Sequence, residues 1–82
     1  MDIKEQIKHF FEENFMTEFD ENFGDDDSFL ENGIMDSTGV LELVLFLEEN
    51  FEFKVEDEDI IPENLDSFTN LKKYINSNQH NN

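Results

Sequence analysis

The segment from Val40 to Leu47 limits the possible folds most, because only Glu42 among its eight residues is polar. Periodicity alone also allows a buried strand. The leucine-rich content and the continuation of the pattern to Phe51 favour a helix of about fourteen residues. Asp36 and Ser37 precede the run, and both residue types accept hydrogen bonds well at a helix N-cap. The sequence therefore predicts a central helix that begins near Ser37.

This helix has more apolar surface than one buried face requires. At about 100° per residue, five apolar side chains share the side that we assign to the core: Val40, Leu43, Val44, Leu47 and Phe51. Leu41 and Leu45 lie nearer to Ser37 and Thr38. Three carboxylates flank these leucines: Glu42, Glu48 and Glu49. Two interpretations stay open, a docking surface for a basic groove or leucines packed beneath a loop with solvated glutamates beside them.

The rest of the chain predicts an all-α fold, a small bundle of three main helices plus a short fourth with a long first loop. The first helix covers residues 2–15, with its apolar positions at Ile3, Ile7, Phe10, Phe11 and Phe15. Residues 16–33 form the loop, anchored to the core through Phe19, Phe23, Phe29 and Leu30. One helical turn is expected over 57–61, before Pro62. Asp66 or Ser67 caps a last helix with a face of Phe68, Leu71, Tyr74 and Ile75.

The length and composition predict one small domain. A chain of 82 residues buries only about 60–65 % of its unfolded surface, and ten phenylalanines supply the core. We assign residues 1–77 to this domain and residues 78–82 to a disordered polar tail. There is neither a basic-then-apolar leader pattern nor an apolar run of membrane-spanning length. We therefore expect a soluble, cytoplasmic, monomeric protein without membrane insertion.

The charge restricts the partners. Twenty-two Asp and Glu against five Lys and Arg give a formal net charge of −17. Nucleic acids and anionic membranes repel such a chain, whereas basic protein surfaces attract it. No nucleic-acid partner is therefore expected.

Several chemistries fit the sequence poorly. Residues 20–31 have the length of a calcium-binding EF-hand loop, but Gly24 stands where an oxygen ligand is needed and Asp25 stands where the turn glycine belongs. His9 and His80 do not have metal-ligand spacing. Ser37 has no sequence-local histidine or lysine to act as its base. We therefore expect neither a metal site nor catalytic residues, and we expect that the protein is not an enzyme.

The stretch GIMDSTGVLELVLFLEENF resembles the acyl carrier proteins, in which an Asp-Ser dipeptide opens the second helix. The matching positions are Asp36-Ser37, Glu42-Leu43-Val44, Glu48-Glu49 and Phe51. VEDEDI at 55–60 resembles the short third helix of the family, and DSFTNLKKYI at 66–75 resembles the last helix. The resemblance covers nearly the whole chain and implies the same helical bundle.

The resemblance also implies a function. Ser37 would carry 4′-phosphopantetheine, transferred from coenzyme A by a phosphopantetheinyl transferase, and the terminal thiol of this arm would hold an acyl or aminoacyl group as a thioester. Basic surfaces of the transferase, of the loading ligase and of the downstream transferase or synthase enzymes would contact nine residues: Asp36, Thr38, Leu41, Glu42, Leu45, Glu48, Glu49, Asp57 and Glu58.

Two features depart from the carriers of fatty-acid synthesis. Thr38 and Gly39 stand where Leu and Asp most often follow the serine, and IIPENLDSF at 60–68 is slightly longer than its counterpart. D-alanyl carriers and stand-alone carriers of secondary pathways also have glycine at the position of Gly39. We therefore favour a discrete, specialised or D-alanyl-carrier-like member. The alternatives are an unmodified acidic helical adaptor that binds a basic protein, and a calcium-responsive module over residues 20–31.

Overall fold

A computed structural model describes residues 2–79 of the chain as a helical bundle. Four α-helices are formed: α1 (Ile3–Asn14), α2 (Ser37–Phe51), α3 (Pro62–Leu65) and α4 (Phe68–Gln79). A single turn of 3-10 helix, Asp57–Asp59, lies between α2 and α3. Residues 2–79 contain no strand. The predicted all-α class, with three main helices and a short fourth, is confirmed.

The first helix begins at an aspartate cap. Asp2 Oδ1 accepts a hydrogen bond of 2.8 Å from the backbone N–H of Glu5, which satisfies one of the free N–H groups of the first turn. Ile7 and Phe11 have no exposed surface, so the predicted apolar side of α1 faces the core. The helix ends at Asn14, and Met16 adopts the left-handed conformation with φ 52°.

The long loop between α1 and α2 contributes to the core through its phenylalanines, as predicted. Phe29 is completely buried, and its ring centroid lies 4.8 Å from that of Phe11 and 5.0 Å from that of Phe68. Phe19 and Phe23 are half-buried beside it. The Phe29–Phe68 pair is edge-on, with an angle of 86° between the rings, and such a pair adds about 0.5–1.5 kcal/mol to the energy of burial. The loop is therefore part of the hydrophobic core.

Asp66 fastens this loop to the segment before α4. Its Oδ1 accepts a hydrogen bond of 2.9 Å from the N–H of Leu30, and its Oδ2 accepts one from the Ser28 hydroxyl. The N–H of Phe29 donates to the backbone carbonyl of Asp66 at 3.2 Å. Ser67 acts as the helix cap instead, because its Oγ accepts from the N–H of Asn70 at 3.0 Å. Of the two candidates for the cap of α4, the structure therefore selects Ser67, and Asp66 binds the loop instead.

The central helix shows the predicted core side. Leu43 and Leu47 are completely buried and Val44 nearly so. Leu41 and Leu45 keep 59 % and 57 % of their surface exposed, so neither leucine packs beneath the loop.

The region after α2 corrects two expectations. The resemblance assigned the short third helix to 55–60, where the structure has only the 3-10 turn Asp57–Asp59. A four-residue helix follows at Pro62–Leu65. Proline favours the first position of a helix, because its fixed φ suits a helix start and its missing N–H leaves no donor unsatisfied there. The single helical turn predicted over 57–61 is therefore present as Asp57–Asp59, whereas the sequence did not predict the helix that begins at Pro62.

The last helix extends to Gln79, so residues 78 and 79 are helical where the sequence predicts the start of a disordered tail. Asn78 Nδ2 donates a hydrogen bond of 2.9 Å to the carbonyl of Tyr74, which contributes to holding this end. The rest of the predicted tail, with His80, lies outside the described residues.

Replacing Asp66 with alanine is expected to lower the free energy of unfolding by about 2 kcal/mol or more. The variant loses hydrogen bonds to a charged acceptor, each worth about 1.5–3 kcal/mol. Urea denaturation measures the change. Asp26→Ala, which removes the same charge from an exposed position, is the control. Equal stability of the two variants would show that Asp66 does not anchor the loop.

The stability is also expected to fall with pH above about 10 through Tyr74. Its hydroxyl donates to Asp59 Oδ2 at 3.1 Å. Burial first, then this bond and the charges of Asp59 and Glu56, raise the pKa of Tyr74 from 10.0 to about 12. The folded state holds the proton more tightly than the unfolded state, so this contribution is complete below pH 10 and is lost as the pH rises through about 12.

Urea midpoints of the wild type and Tyr74→Phe, measured from pH 9 upward, test this expectation. The difference between the two proteins should shrink between pH 10 and 12. A difference that does not change with pH would show that the tyrosine does not titrate with a raised pKa.

Candidate functional site

The start of α2 presents Ser37 to solvent. Asp36 is the N-cap: its backbone is extended, with φ −108°, and its Oδ1 accepts from the N–H of Gly39 at 2.8 Å. The carbonyl of Asp36 accepts from the N–H of Val40 at 3.3 Å. Ser37 is therefore the first helical residue and not the cap. Of the two candidates for capping α2, the structure selects the aspartate.

The hydroxyl of Ser37 has no structural role in the described part of the chain. Ser37 is exposed, and its Oγ makes no hydrogen bond to any of residues 2–79. A serine at a helix start usually stabilises the helix by accepting a hydrogen bond from a free backbone N–H of the first turn, as Ser67 does for α4. Because Asp36 already performs that task, the start of α2 does not need the Ser37 hydroxyl as a cap.

Gly39 allows this arrangement through its lack of a side chain. It is buried, and a Cβ built on it would lie 3.2 Å from Cζ of Phe15 and 3.3 Å from Cβ of Met35. The same Cβ would lie 3.5 Å from Oδ1 of Asp36. The first turn of α2 therefore packs directly on the end of α1 and on the loop. A glycine inside a predicted helix often indicates close packing against another segment. The sequence analysis identified Gly39 only as a difference from the carriers of fatty-acid synthesis, so this packing role was missed.

An exposed stripe runs along α2 from Ser37. We define the docking stripe by its six exposed residues: Ser37, Thr38, Leu41, Glu42, Leu45 and Glu49. Each step of four residues advances about 6 Å and turns about 40°, so Ser37, Leu41 and Leu45 follow one another along a gently winding line of about 12 Å. The two exposed leucines together form an apolar spot beside the serine, rimmed by carboxylates.

The other predicted contact residues are placed differently. Glu48 is half-buried, and its Oε2 accepts from the N–H of Val55 at 2.9 Å, which ties the link after α2 to the helix. This carboxylate therefore has a structural use that the sequence did not indicate. Asp57 and Glu58 are exposed on the 3-10 turn. Asp36 is exposed too, although one carboxylate oxygen is bound by the helix start.

Two cavities adjoin the start of α2. A shallow groove of about 460 Å³ is lined by residues of the loop end and α1 end: Phe15, Leu30, Gly33, Ile34, Met35 and Asp36. A smaller apolar cavity of about 70 Å³ lies under Val40, between the loop and the α3 region. It has about half the volume of the ~150 Å³ protein cavity known to hold benzene.

The acidic loop uses its carboxylates in its own turns. Asp20 Oδ1 accepts from the N–H of Asn22 at 2.7 Å, and Asp27 Oδ2 accepts from the N–H of Gly24 at 2.7 Å. On α1, His9 Nε2 lies 2.9 Å from Glu13 Oε1. Within residues 2–79, no group of three or more acidic or histidine side chains is arranged to hold a metal ion.

Comparisons with known protein families, characterised proteins and solved structures find no match to this chain. The family resemblance therefore rests on the motif around Ser37 and on the order of the elements. Among residues 2–79, no helix combines the length and apolar character needed to cross a bilayer.

Gly39→Asp introduces the residue that most often stands at this position in the carriers of fatty-acid synthesis. We expect it to destabilise this protein by about 2 kcal/mol or more. The new carboxylate would be buried against Phe15 and Met35 and would face the like charge of Asp36. Chemical denaturation measures the change. Thr38→Leu, which introduces the residue that most often follows the serine in those carriers, changes an exposed position. Its free energy of unfolding is expected to stay within about 0.5 kcal/mol of that of the wild type. A tolerated Gly39→Asp would contradict the close packing at this helix start.

Proposed function

We propose that this chain is a non-enzymatic carrier protein in which Ser37 bears 4′-phosphopantetheine. One observation carries the proposal: Ser37, the first residue of α2, is exposed, its hydroxyl makes no hydrogen bond to residues 2–79, and it lies next to the exposed Leu41 and Leu45. A serine that caps nothing and lies beside an apolar spot suits modification by an enzyme that docks on the same helix.

The residues at the start of α2 fit the group. Ser37 Oγ can form a bond to phosphorus as the diphosphate bond of coenzyme A breaks; the adenosine-containing half leaves with the bonding electrons, and a base of the transferase takes the hydroxyl proton. The N–H groups of the first turn and the positive end of the dipole of the fifteen-residue helix favour a phosphate there. When bound, the group supplies the thiol that a chain without cysteine lacks.

The docking stripe supplies the recognition that such a carrier needs. Leu41 and Leu45 offer apolar surface that becomes buried when a partner docks, at about 25 cal/mol for each Å² removed from water. Glu42 and Glu49 lie around them as exposed carboxylates. They favour a transferase and cargo enzymes with basic docking surfaces, and they speed the encounter.

The cargo in this proposal is carried outside the bundle. The cavity of about 70 Å³ under Val40 is too small for a long acyl chain in this conformation. Phe46 stacks on Phe10 with ring centroids 4.5 Å apart, which fills the contact between α2 and α1. A short acyl or aminoacyl group fits this protein better than a long fatty acid.

The exposed stripe also favours a second function. An adaptor would use Leu41, Leu45 and the neighbouring carboxylates to bind a basic protein without any modification. The two functions differ in whether the Ser37 hydroxyl reacts.

Intact-mass measurement after incubation with coenzyme A and a broad-specificity phosphopantetheinyl transferase separates the two. The wild type and Ser77→Ala should each gain one phosphopantetheine group, whereas Ser37→Ala should gain none. Ser77→Ala is the matched control because it removes an exposed serine hydroxyl from α4, outside the docking stripe. Ser37→Ala should keep its stability within about 0.5 kcal/mol, since Asp36 remains the cap.

An unmodified wild type, with an active transferase and intact folding, would overturn the carrier proposal and favour the adaptor. Modification that persists in Ser37→Ala would place the group on another residue and would contradict the assignment of Ser37.

A further inference from the structure

The charges of this chain are unevenly distributed along it. All twenty-two acidic residues lie before residue 67, and residues 67–82 contain none. Four of the five lysines lie on α1 and α4: Lys4, Lys8, Lys72 and Lys73. The helix α4 is thus free of negative side chains in a protein with a net charge of −17.

A groove of about 440 Å³ lies where α1 meets α4. Three lysines line it together with a phenylalanine, a hydroxyl, an amide and one carboxylate: Lys4, Lys72, Lys73, Phe68, Thr69, Asn76 and Asp25. No residue of the docking stripe on α2 belongs to this set. The groove is therefore a surface separate from the one that presents Ser37.

Two of the lysines have no acidic partner among the described residues. Lys72 and Lys73 are exposed, and neither forms an ion pair within 4 Å with any of residues 2–79. Their neighbours one turn away on α4 are uncharged: Phe68, Thr69, Asn76 and Ser77. With twenty-two carboxylates elsewhere in the chain, two adjacent unpaired ammonium groups are available to a partner outside it.

The chain's own Asp25 shows that the groove accepts a carboxylate. Asp25 Oδ1 lies 2.7 Å from Nζ of Lys4, and its backbone carbonyl accepts from the N–H of Thr69 at 3.0 Å. The same Lys4 ammonium lies 5.4 Å from the ring centroid of Phe68. One acidic residue of the loop is therefore already held across α1 and α4, at the edge of the two free lysines.

The spacing of the lysines favours an extended ligand over a single small anion. Adjacent residues of a helix diverge by about 100°, so Lys72 and Lys73 are poorly placed to hold one phosphate together. The overall negative charge does not prevent binding here, because the Debye length of about 8 Å at physiological salt is short compared with the extents of the protein, 35 × 26 × 21 Å. The lysines that line the groove therefore determine whether an acidic ligand binds there.

We propose that the α1–α4 groove is a second docking surface, which binds an acidic segment of a partner protein. Carboxylates of that segment pair with Lys72 and Lys73 and lie beside the Thr69 hydroxyl and the Asn76 amide. The surface works independently of Ser37, so a protein held here leaves the docking stripe open for others.

Fluorescence anisotropy with a labelled oligoglutamate peptide tests the proposal at physiological ionic strength, where the Debye length of about 8 Å screens the overall negative charge. The wild type should bind it saturably, and the affinity should fall as salt is raised toward 1 M, where the Debye length of about 3 Å also weakens the local ion pairs. Lys72→Ala with Lys73→Ala should weaken binding at least about tenfold. Lys54→Glu, at an exposed lysine outside the groove, makes the protein more negative by the same two charges and should bind much more tightly than the double variant. Asp25→Asn should tighten binding, because it releases Lys4.

Chemical-shift mapping on the wild type supports the variants and does not depend on their folding. The peptide should shift the amides of Thr69, Lys72 and Asn76 and leave those of Leu41 and Leu45 unchanged. Absence of saturable binding, equal loss in Lys54→Glu, or shifts centred on α2 would each overturn the proposal. Binding of inorganic pyrophosphate without binding of the peptide would overturn it too, in favour of a site for small anions.

Discussion

The attachment of the long loop to the segment before α4 is the constraint on which the rest of this structure depends. Phe29 lies completely buried between Phe11 and Phe68, and Asp66 binds the backbone and hydroxyl groups on either side of it. A chain of 82 residues has too little core to leave the twenty-two residues between α1 and α2 outside it. By using the loop as core, the protein joins α1 to α4 and sets the position from which α2 begins.

The start of α2 separates the residues with structural roles from Ser37, whose hydroxyl has no such role among residues 2–79. Asp36 satisfies the helix end, Gly39 permits the close contact with Phe15 and Met35, and Ser37 is left with an exposed hydroxyl. A reactive position benefits from this separation, because modification of a residue that holds the fold together would destabilise it. In the proposed carrier, Ser37 can therefore be modified with little effect on the bundle, while the exposed leucines of the same helix guide the modifying enzyme.

The charge of the protein is better described by its distribution than by its total. Carboxylates surround Leu41 and Leu45 on α2, whereas α4 has only lysines as charged residues. At physiological salt each surface acts mainly through its nearest charges. An acidic protein can in this way present one surface to basic partners and, as proposed for the α1–α4 groove, another to an acidic segment.

The sequence by itself determined α1, α2 and α4, their buried sides and the position of Ser37 at a helix start. The period of apolar residues in α1, α2 and α4 reflects local geometry, which neighbouring residues alone specify. Only the tertiary structure decided which of two adjacent cap candidates serves each helix, that Glu48 binds the backbone of Val55, and that Asp66 holds a loop 36 residues away. It also decided that Leu41 and Leu45 are exposed and that Lys4 meets α4. The Asp66 anchor and the contact of Lys4 with α4 depend on segments distant in the chain, whereas the caps and the Glu48–Val55 bond are short-range and depend on side-chain conformation. The periodicity of apolar residues specifies neither.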